Sequence, residues 1–150
     1  MSNHDTDREQ MHNQDRHAPN PDERGKGLSA LIALLGLWLI LQAFLFELAA
    51  TQVWNDVLVG AFLAAIGAYN YSRQSKEQLG SMGAATVAAI LGLWLIIAPF
   101  VLGVDAGATE TANNLGFWND IIVGLLAFVL GAYSAYKIRD WRRDAQRAAA

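Results

Sequence analysis

The sequence contains no cysteine, which excludes disulfide scaffolds, thiolate metal sites, iron–sulfur clusters and cysteine nucleophiles. Charged side chains are also scarce in residues 28–138, where only six acids and three bases occur. The net charge of −3 and the lack of a basic stretch interleaved with aromatics argue against a nucleic acid partner. Apolar residues make up about two-thirds of the same segment, too many for a soluble domain. We therefore predict a small integral membrane protein.

Four apolar runs are candidates for membrane-spanning helices. Residues 28–46 and 84–104 each have the roughly 20 residues that a bilayer core requires. Residues 57–71 and 121–136 are shorter, and they reach spanning length only if the residues just before them lie at the headgroup level. Tryptophan favours that interface, and Asn or Asp before an apolar run is a preferred N-cap. The predicted interface anchors and N-caps are Trp54, Asn55, Asp56, Trp118, Asn119 and Asp120.

The positions of the bases predict how the four helices are oriented. All 11 Lys and Arg lie in the amino-terminal tail, between spans two and three, or after span four. By the positive-inside rule, both termini and the middle loop face the cytoplasm of a multi-pass protein in the cell membrane. The opposite side then carries the acidic residues Glu47, Asp56, Asp105, Glu110 and Asp120.

An internal repeat divides the chain into two helical hairpins. Residues 35–40 recur identically at 91–96, and the Trp-Asn-Asp stretch at 54–60 recurs in close form at 118–124. Because a two-helix unit returns to its starting side, the two copies share one orientation, unlike the inverted repeats of many transporters. We expect an all-α integral membrane four-helix bundle made of two tandem hairpins in parallel repeat.

The predicted segments follow from this repeat. They are a disordered polar cytoplasmic tail (1–27), the first hairpin (28–73), a cytoplasmic linker (74–83), the second hairpin (84–138) and a basic cytoplasmic tail (139–150).

These features together resemble the SPW repeat family, small membrane proteins whose two-helix unit carries a Ser-Pro-Trp motif in its first helix. The resemblance covers about residues 30–138 in two diverged copies and depends mainly on the Gly-Leu-Trp and Trp-Asn elements. The motif corresponds to Ala-Pro-Phe at 98–100, which keeps the proline, and to Gln-Ala-Phe at 42–44, which keeps none of the three residues. The resemblance implies residence in a membrane and no particular chemistry.

Small residues at helical spacing predict where the helices approach each other. In lipid, close backbone approach takes the place of the hydrophobic effect in helix association. We expect the two tryptophans within spans to fill space beside glycines, with each indole N–H bonded to a backbone carbonyl. The alternative is a stacking platform for a quinone-like or lipid ligand. The predicted helix-packing residues are Gly36, Gly60, Gly67, Gly92, Gly124, Gly131, Trp38 and Trp94.

Other polar features have both a structural and a functional interpretation. Pro99 is predicted to kink its helix and to free the backbone carbonyl of Leu95. This carbonyl and the Gln42 amide could serve transport. A simple bend at Pro99 and an interhelical hydrogen bond from Gln42 also explain these residues. The two Asn-Asp pairs could form a cation site, although N-capping accounts for them without a metal. Three histidines, at positions 4, 12 and 17, could bind a transition metal, but a tail of this composition keeps them solvated.

The expected function is that of a structural, interaction or lipid-contacting membrane component, without a cofactor and able to form a homo-oligomer. The alternative is a small oligomeric transporter or channel, although no ionisable side chain occurs in the middle of a predicted span. An enzyme is disfavoured because the spans contain no histidine, cysteine or convergent carboxylate pair. The bases expected to contact anionic lipid headgroups are Arg139, Arg142, Arg143 and Arg147.

The predicted orientation can be tested by labelling single cysteines in intact cells, because the chain has none of its own. Cysteines are introduced singly at Ser2, Ser75, Thr109 and Ala150. An impermeant thiol reagent is expected to reach only position 109, since the bases keep the other three inside. Labelling at position 75 would mean that the short second run does not span.

Overall fold

The computed structural model describes residues 21–76, 80–102 and 110–150, which form four helices without any strand. The helices are α1 (Pro21–Leu45), α2 (Ala50–Ser75), α3 (Met82–Leu102) and α4 (Glu110–Ala149). The predictions for residues 1–20, which include the three histidines, lie outside the described residues. The same holds for residues 103–109, which include Asp105.

All four helices are long and apolar enough to cross a membrane. Their largest apolar side chains face outward: Phe44, Trp54, Phe62 and Phe100 are each at least 60% exposed. An apolar exterior of this extent is typical of a surface in contact with lipid, whereas water-soluble proteins expose only small apolar patches. The buried core contains Ile32, Leu39, Val59, Leu63, Ala88, Leu95, Val123 and Ala127.

The helices pack mainly as two pairs, α1 with α2 and α3 with α4. Glycines lie where the backbones meet. A Cβ atom at Gly60 would be 2.6 Å from the carbonyl oxygen of Gly36, and one at Gly124 would be 2.7 Å from that of Gly92. Real Cβ atoms do not approach backbone so closely, so these contacts exclude any larger residue.

A second glycine contact lies further along each pair. A Cβ atom at Gly67 would be 2.7 Å from the carbonyl oxygen of Ser29, and one at Gly131 would be 2.9 Å from that of Ala85. Because later residues of α2 and α4 meet earlier residues of their partners, the helices in each pair run in opposite directions. The two glycines on one helix therefore fix both the spacing and the register of that helix against its neighbour.

Short connections and local caps shape the ends of the helices. Between α1 and α2, Glu47 has a φ of 51°, in the left-handed region that commonly ends a helix. At the start of α3, the Ser81 hydroxyl accepts a hydrogen bond from the Ala84 backbone N–H at 3.2 Å, as an N-cap does. The Ser81 N–H in turn donates to Asn70 Oδ1 at 2.8 Å, which ties the start of α3 to α2.

The structure contradicts the predicted N-caps. Helix α2 begins after Ala49, which has an extended ψ of 148° and makes no side-chain capping bond. Asn55 and Asp56 therefore lie inside α2, and the corresponding Asn119 and Asp120 lie inside α4. The helical pattern continues through these residues because their side chains bond to other helices and do not compete for their own backbone.

The glycine contacts predict that even one added methyl group destabilises the fold. Gly60→Ala and Gly124→Ala are each expected to lower the free energy of unfolding by about 1–3 kcal/mol, because the backbones must separate. The measurement is reversible unfolding of the purified protein in detergent. Gly27→Ala is the matched control, since its Cβ would meet nothing within 4 Å. Equal stability of all three variants would show that the glycine contacts are not tight.

Candidate functional site

Three polar side chains are completely buried near the end of the bundle where α1 leads into α2. Gln42 and Asp56 have no exposed surface, and Asp120 has 1%. They come from α1, α2 and α4, so three helices meet at this point. We call this group with its polar neighbours the carboxylate cluster; its members are Gln42, Gln52, Asn55, Asp56, Asn119 and Asp120.

Both oxygens of Asp56 accept hydrogen bonds from side-chain amides. Gln42 Nε2 donates to Oδ2 at 2.7 Å, across the interface between α1 and α2. Asn55 Nδ2 donates to Oδ1 at 3.1 Å. Since the carboxylate is buried in an apolar bundle, these bonds replace part of the hydration that it loses.

Asp120 is less completely bonded. Gln52 Nε2, on α2, donates to Asp120 Oδ2 at 3.3 Å, and this bond crosses from one helix pair to the other. Asp120 Oδ1 is buried without a well-formed hydrogen bond, and the Asn119 side chain acts on this carboxylate only as a weak donor. Asp56 and Asp120 are also close enough to repel each other electrostatically when both are ionised.

Two tryptophans bond across the helix pairs in a reciprocal manner. Trp38 Nε1 of α1 donates to Asn119 Oδ1 of α4 at 2.9 Å. Trp94 Nε1 of α3 donates to Asn55 Oδ1 of α2, also at 2.9 Å. The indole partners are thus side-chain amides, and the expected bonds to backbone carbonyls are not formed. The prediction failed because the Asn residues were assigned to helix caps, where they would not have reached the indoles.

The two copies of the repeat differ in the side chains that surround the carboxylates. In the offset of 56 that relates α1 to α3, Gln42 corresponds to Ala98, so the second pair lacks this amide. In the offset of 64 that relates α2 to α4, Gln52 corresponds to Gly116. A Cβ atom at Gly116 would be 3.0 Å from Gln52 Cδ, which shows how closely the Gln52 side chain passes it. The two carboxylates therefore have different surroundings.

Three polar atoms in the cluster are buried without a well-formed hydrogen bond. They are the acceptors Gln42 Oε1 and Asp120 Oδ1 and the donor Asn119 Nδ2. A buried polar atom without a partner costs about 1–3 kcal/mol, more when the group is charged. Three at one place mark the cluster as a position where a small polar or charged species would be stabilised.

Sequence reasoning missed two features of this site. It placed no convergent carboxylate pair within the spans, whereas Asp56 and Asp120 converge inside α2 and α4. It also overlooked Gln52. The sequence marks this residue only by a difference between the two copies, since the corresponding residue in the second copy is Gly116. Two other acids predicted to lie on the same side, Glu47 and Glu110, are exposed. In the described segments, no three His, Cys, Asp or Glu side chains group together.

The remaining predicted site residues lie outside the cluster. Trp54 and Trp118 are 67% and 61% exposed on the outer surface. Pro99 lies within α3, which continues past it to Leu102. The four bases assigned to lipid headgroups lie on the exposed final part of α4: Arg139, Arg142, Arg143 and Arg147.

Comparison with known proteins gives one family match. The family model described as the SPW repeat domain matches residues 26–144, a range that includes most of all four helices. The resemblance inferred from the Gly-Leu-Trp and Trp-Asn elements is therefore confirmed. No curated protein and no solved structure is significantly similar to the chain.

The reciprocal tryptophan bonds predict matched losses of stability. Trp38→Phe and Trp94→Phe are each expected to lower the free energy of unfolding by about 1–2 kcal/mol, because an Asn oxygen loses its donor. Unfolding in detergent measures this, with the outward-facing Trp54→Phe as control. A double-mutant cycle of Trp38→Phe with Asn119→Ala should give a coupling energy above about 0.5 kcal/mol. A coupling near zero would contradict the bond.

Proposed function

The chain belongs to the SPW repeat family, and from this premise we propose that it is a multi-pass structural or interaction component of the cell membrane that contacts lipid. The observation that carries the proposal is the distribution of side chains on the four helices. Large apolar groups face outward, while the glycines, the smaller core residues and the carboxylate cluster face inward. Such a surface suits lipid tails and the apolar faces of other membrane helices.

In the proposed architecture, the two helix pairs are tandem hairpins in parallel repeat, related by an axis along the membrane normal. The equivalent glycine contacts, Gly36 with Gly60 and Gly92 with Gly124, support this arrangement. The reciprocal Trp–Asn bonds support it as well, because each hairpin gives and receives the same bond. Both termini and the middle loop are proposed to be cytoplasmic, because they carry the Lys and Arg residues of the chain.

An apolar groove on the outer surface supports the lipid-contacting role. It has a volume of about 370 Å³ and lies between α1 and α4, where the two helix pairs adjoin. No polar atom lines it, so an acyl chain is a better occupant than a polar solute. The lining residues are Leu31, Leu34, Leu35, Trp38, Leu126 and Leu130.

The proposed role is non-enzymatic. The chain has no cysteine, and its three histidines precede α1 in the sequence. Neither a cysteine nucleophile nor a histidine general base is therefore present on the described helices.

A small oligomeric transporter or channel is the second candidate, and one specific observation favours it. Ionisable residues inside membrane helices often mark ion or proton pathways, and Asp56 and Asp120 are buried at one point of the bundle. Four helices are few for an enclosed pathway, so this function would require several copies of the chain. The two candidates differ in whether solute crosses the membrane.

The lipid-contacting role predicts that the end of α4 selects anionic lipid. Replacing Arg139, Arg142, Arg143 and Arg147 together with Gln is expected to reduce the ratio of bound anionic to zwitterionic lipid by about tenfold or more, since each base contributes about 1 kcal/mol. Native mass spectrometry of protein extracted from mixed vesicles measures the ratio. Gln146→Ala, a neutral change in the same segment, is the matched control.

Two further results separate the candidates. An unchanged lipid ratio in the fourfold variant would contradict the lipid role of α4. Flux of common ions through proteoliposomes, lost on Asp120→Asn, would favour the transporter and count against a purely structural function. The mass of the detergent-solubilised complex, measured on the same preparation, gives the number of chains in the complex.

A further inference from the structure

The segments that form the carboxylate cluster contain no base that could neutralise two ionised carboxylates. No Lys or Arg occurs at positions 27–72 or 77–136, the parts of the chain that contain every member of the cluster. A buried carboxylate without a cationic partner costs several kcal/mol, and two that repel each other cost more. Some species that is not a side chain of these segments must therefore offset the charge.

Side-chain amides donate to both carboxylates. Asp56 accepts at both oxygens, from Gln42 and Asn55, and Asp120 accepts from Gln52. Each carboxylate oxygen has two lone pairs, so an oxygen that accepts one hydrogen bond can still bind a cation. The amides thus orient the two carboxylates and leave acceptor capacity on them.

The remaining acceptor atoms of the cluster indicate which kind of species would complete it. Gln42 Oε1 and Asp120 Oδ1 are both acceptors on side chains at least 99% buried, and neither accepts a well-formed hydrogen bond. A positive ion in the cluster would be a partner for acceptors of this kind. Asn119 Nδ2 is a donor that acts weakly on the Asp120 carboxylate and would also suit a water molecule bound to such an ion.

We propose that the carboxylate cluster binds one divalent metal cation through the carboxylates of Asp56 and Asp120 and the amide oxygen of Gln42. Carboxylate and amide oxygens are hard ligands that suit Ca²⁺, with water completing its flexible coordination, and Mg²⁺ is the smaller alternative. The charge of +2 balances the charge of −2 on two ionised carboxylates. This inference goes beyond the proposed function, since a lipid-contacting component needs no metal.

The tryptophan bonds hold the asparagines beside the two carboxylates in place. The indoles of Trp38 and Trp94 hold the oxygens of Asn119 and Asn55, so that the Asn55 amide nitrogen points at its carboxylate. Hydrogen bonds of this kind orient the ligands in known metal sites and raise metal affinity. An ion here would connect α1, α2 and α4 and so bind the two helix pairs together.

The experiment measures metal binding and stability on the full chain purified in detergent and freed of metal with a chelator. Equilibrium dialysis with radioactive Ca²⁺ is expected to give about one ion per chain. Addition of 1 mM Ca²⁺ or Mg²⁺ is expected to raise the melting temperature by about 5 °C or more, because the ion binds only the folded state. Choline chloride keeps the ionic strength constant.

Matched variants locate the ion. Asp56→Asn and Asp120→Asn should each weaken Ca²⁺ binding by about tenfold or more and abolish the rise in melting temperature. Glu110→Gln, which removes an exposed acid of α4, should leave both unchanged. Gln42→Leu keeps both carboxylates and should also weaken binding, which provides a test if the Asn variants do not fold.

Three results overturn the proposal. The first is no bound Ca²⁺ and no stabilisation of the unmodified chain by either ion, in which case the carboxylates are neutralised by protons. The second is stabilisation that choline chloride reproduces, which is charge screening at the surface. The third is binding that survives Asp120→Asn but is lost in Glu110→Gln, which places the ion at the exposed end of α4.

Discussion

The contact of helix backbones at glycine is the constraint on which the rest of the structure depends. Where Gly36 meets Gly60, and where Gly92 meets Gly124, the helices are closer than any Cβ atom allows. Because lipid offers no hydrophobic force between helices, dispersion contacts at this distance are the main local attraction. The same contacts set the register of each pair, and register decides which side chains meet further along.

The polar side chains follow from that register. Once α1 is fixed against α2, Gln42 comes level with Asp56 and bonds to it at 2.7 Å. A shift of one residue would turn this amide toward lipid and leave the carboxylate without a donor. The repeated glycines thus specify the apolar interface and also the one place in the described bundle where two buried acids come together. Asp56 and Asp120 occupy equivalent positions of the repeated sequence, and the two glutamines make their surroundings differ.

The sequence predicted the features that depend on local pattern. Apolar length identified four helices that are candidate membrane spans, and glycine spacing identified residues at the helix interfaces. The repeat together with the Gly-Leu-Trp element identified the family, whose model matches residues 26–144. Each of these signals is carried by neighbouring residues or by one helix face, so it survives without knowledge of the tertiary structure.

What the sequence did not predict depends on contacts between distant residues. Asn-Asp before an apolar run is a common helix start, and only the partners Trp94 and Gln42, on other helices, reveal that the helix has already begun. Gln52 reaches Asp120 across 68 positions of sequence, which no local pattern encodes. The pairing of two acids likewise requires the relative placement of both hairpins.

The length of α4 gives it a mechanical property. Its 40 residues extend for roughly 60 Å, about twice the thickness of a bilayer core. Asp120 and Arg147 lie on this one continuous helix, roughly 40 Å apart. Both residues thus belong to one continuous element, so a displacement of the helix within the bundle would also move its basic end. The helix connects the interior of the bundle with the exposed bases at its end.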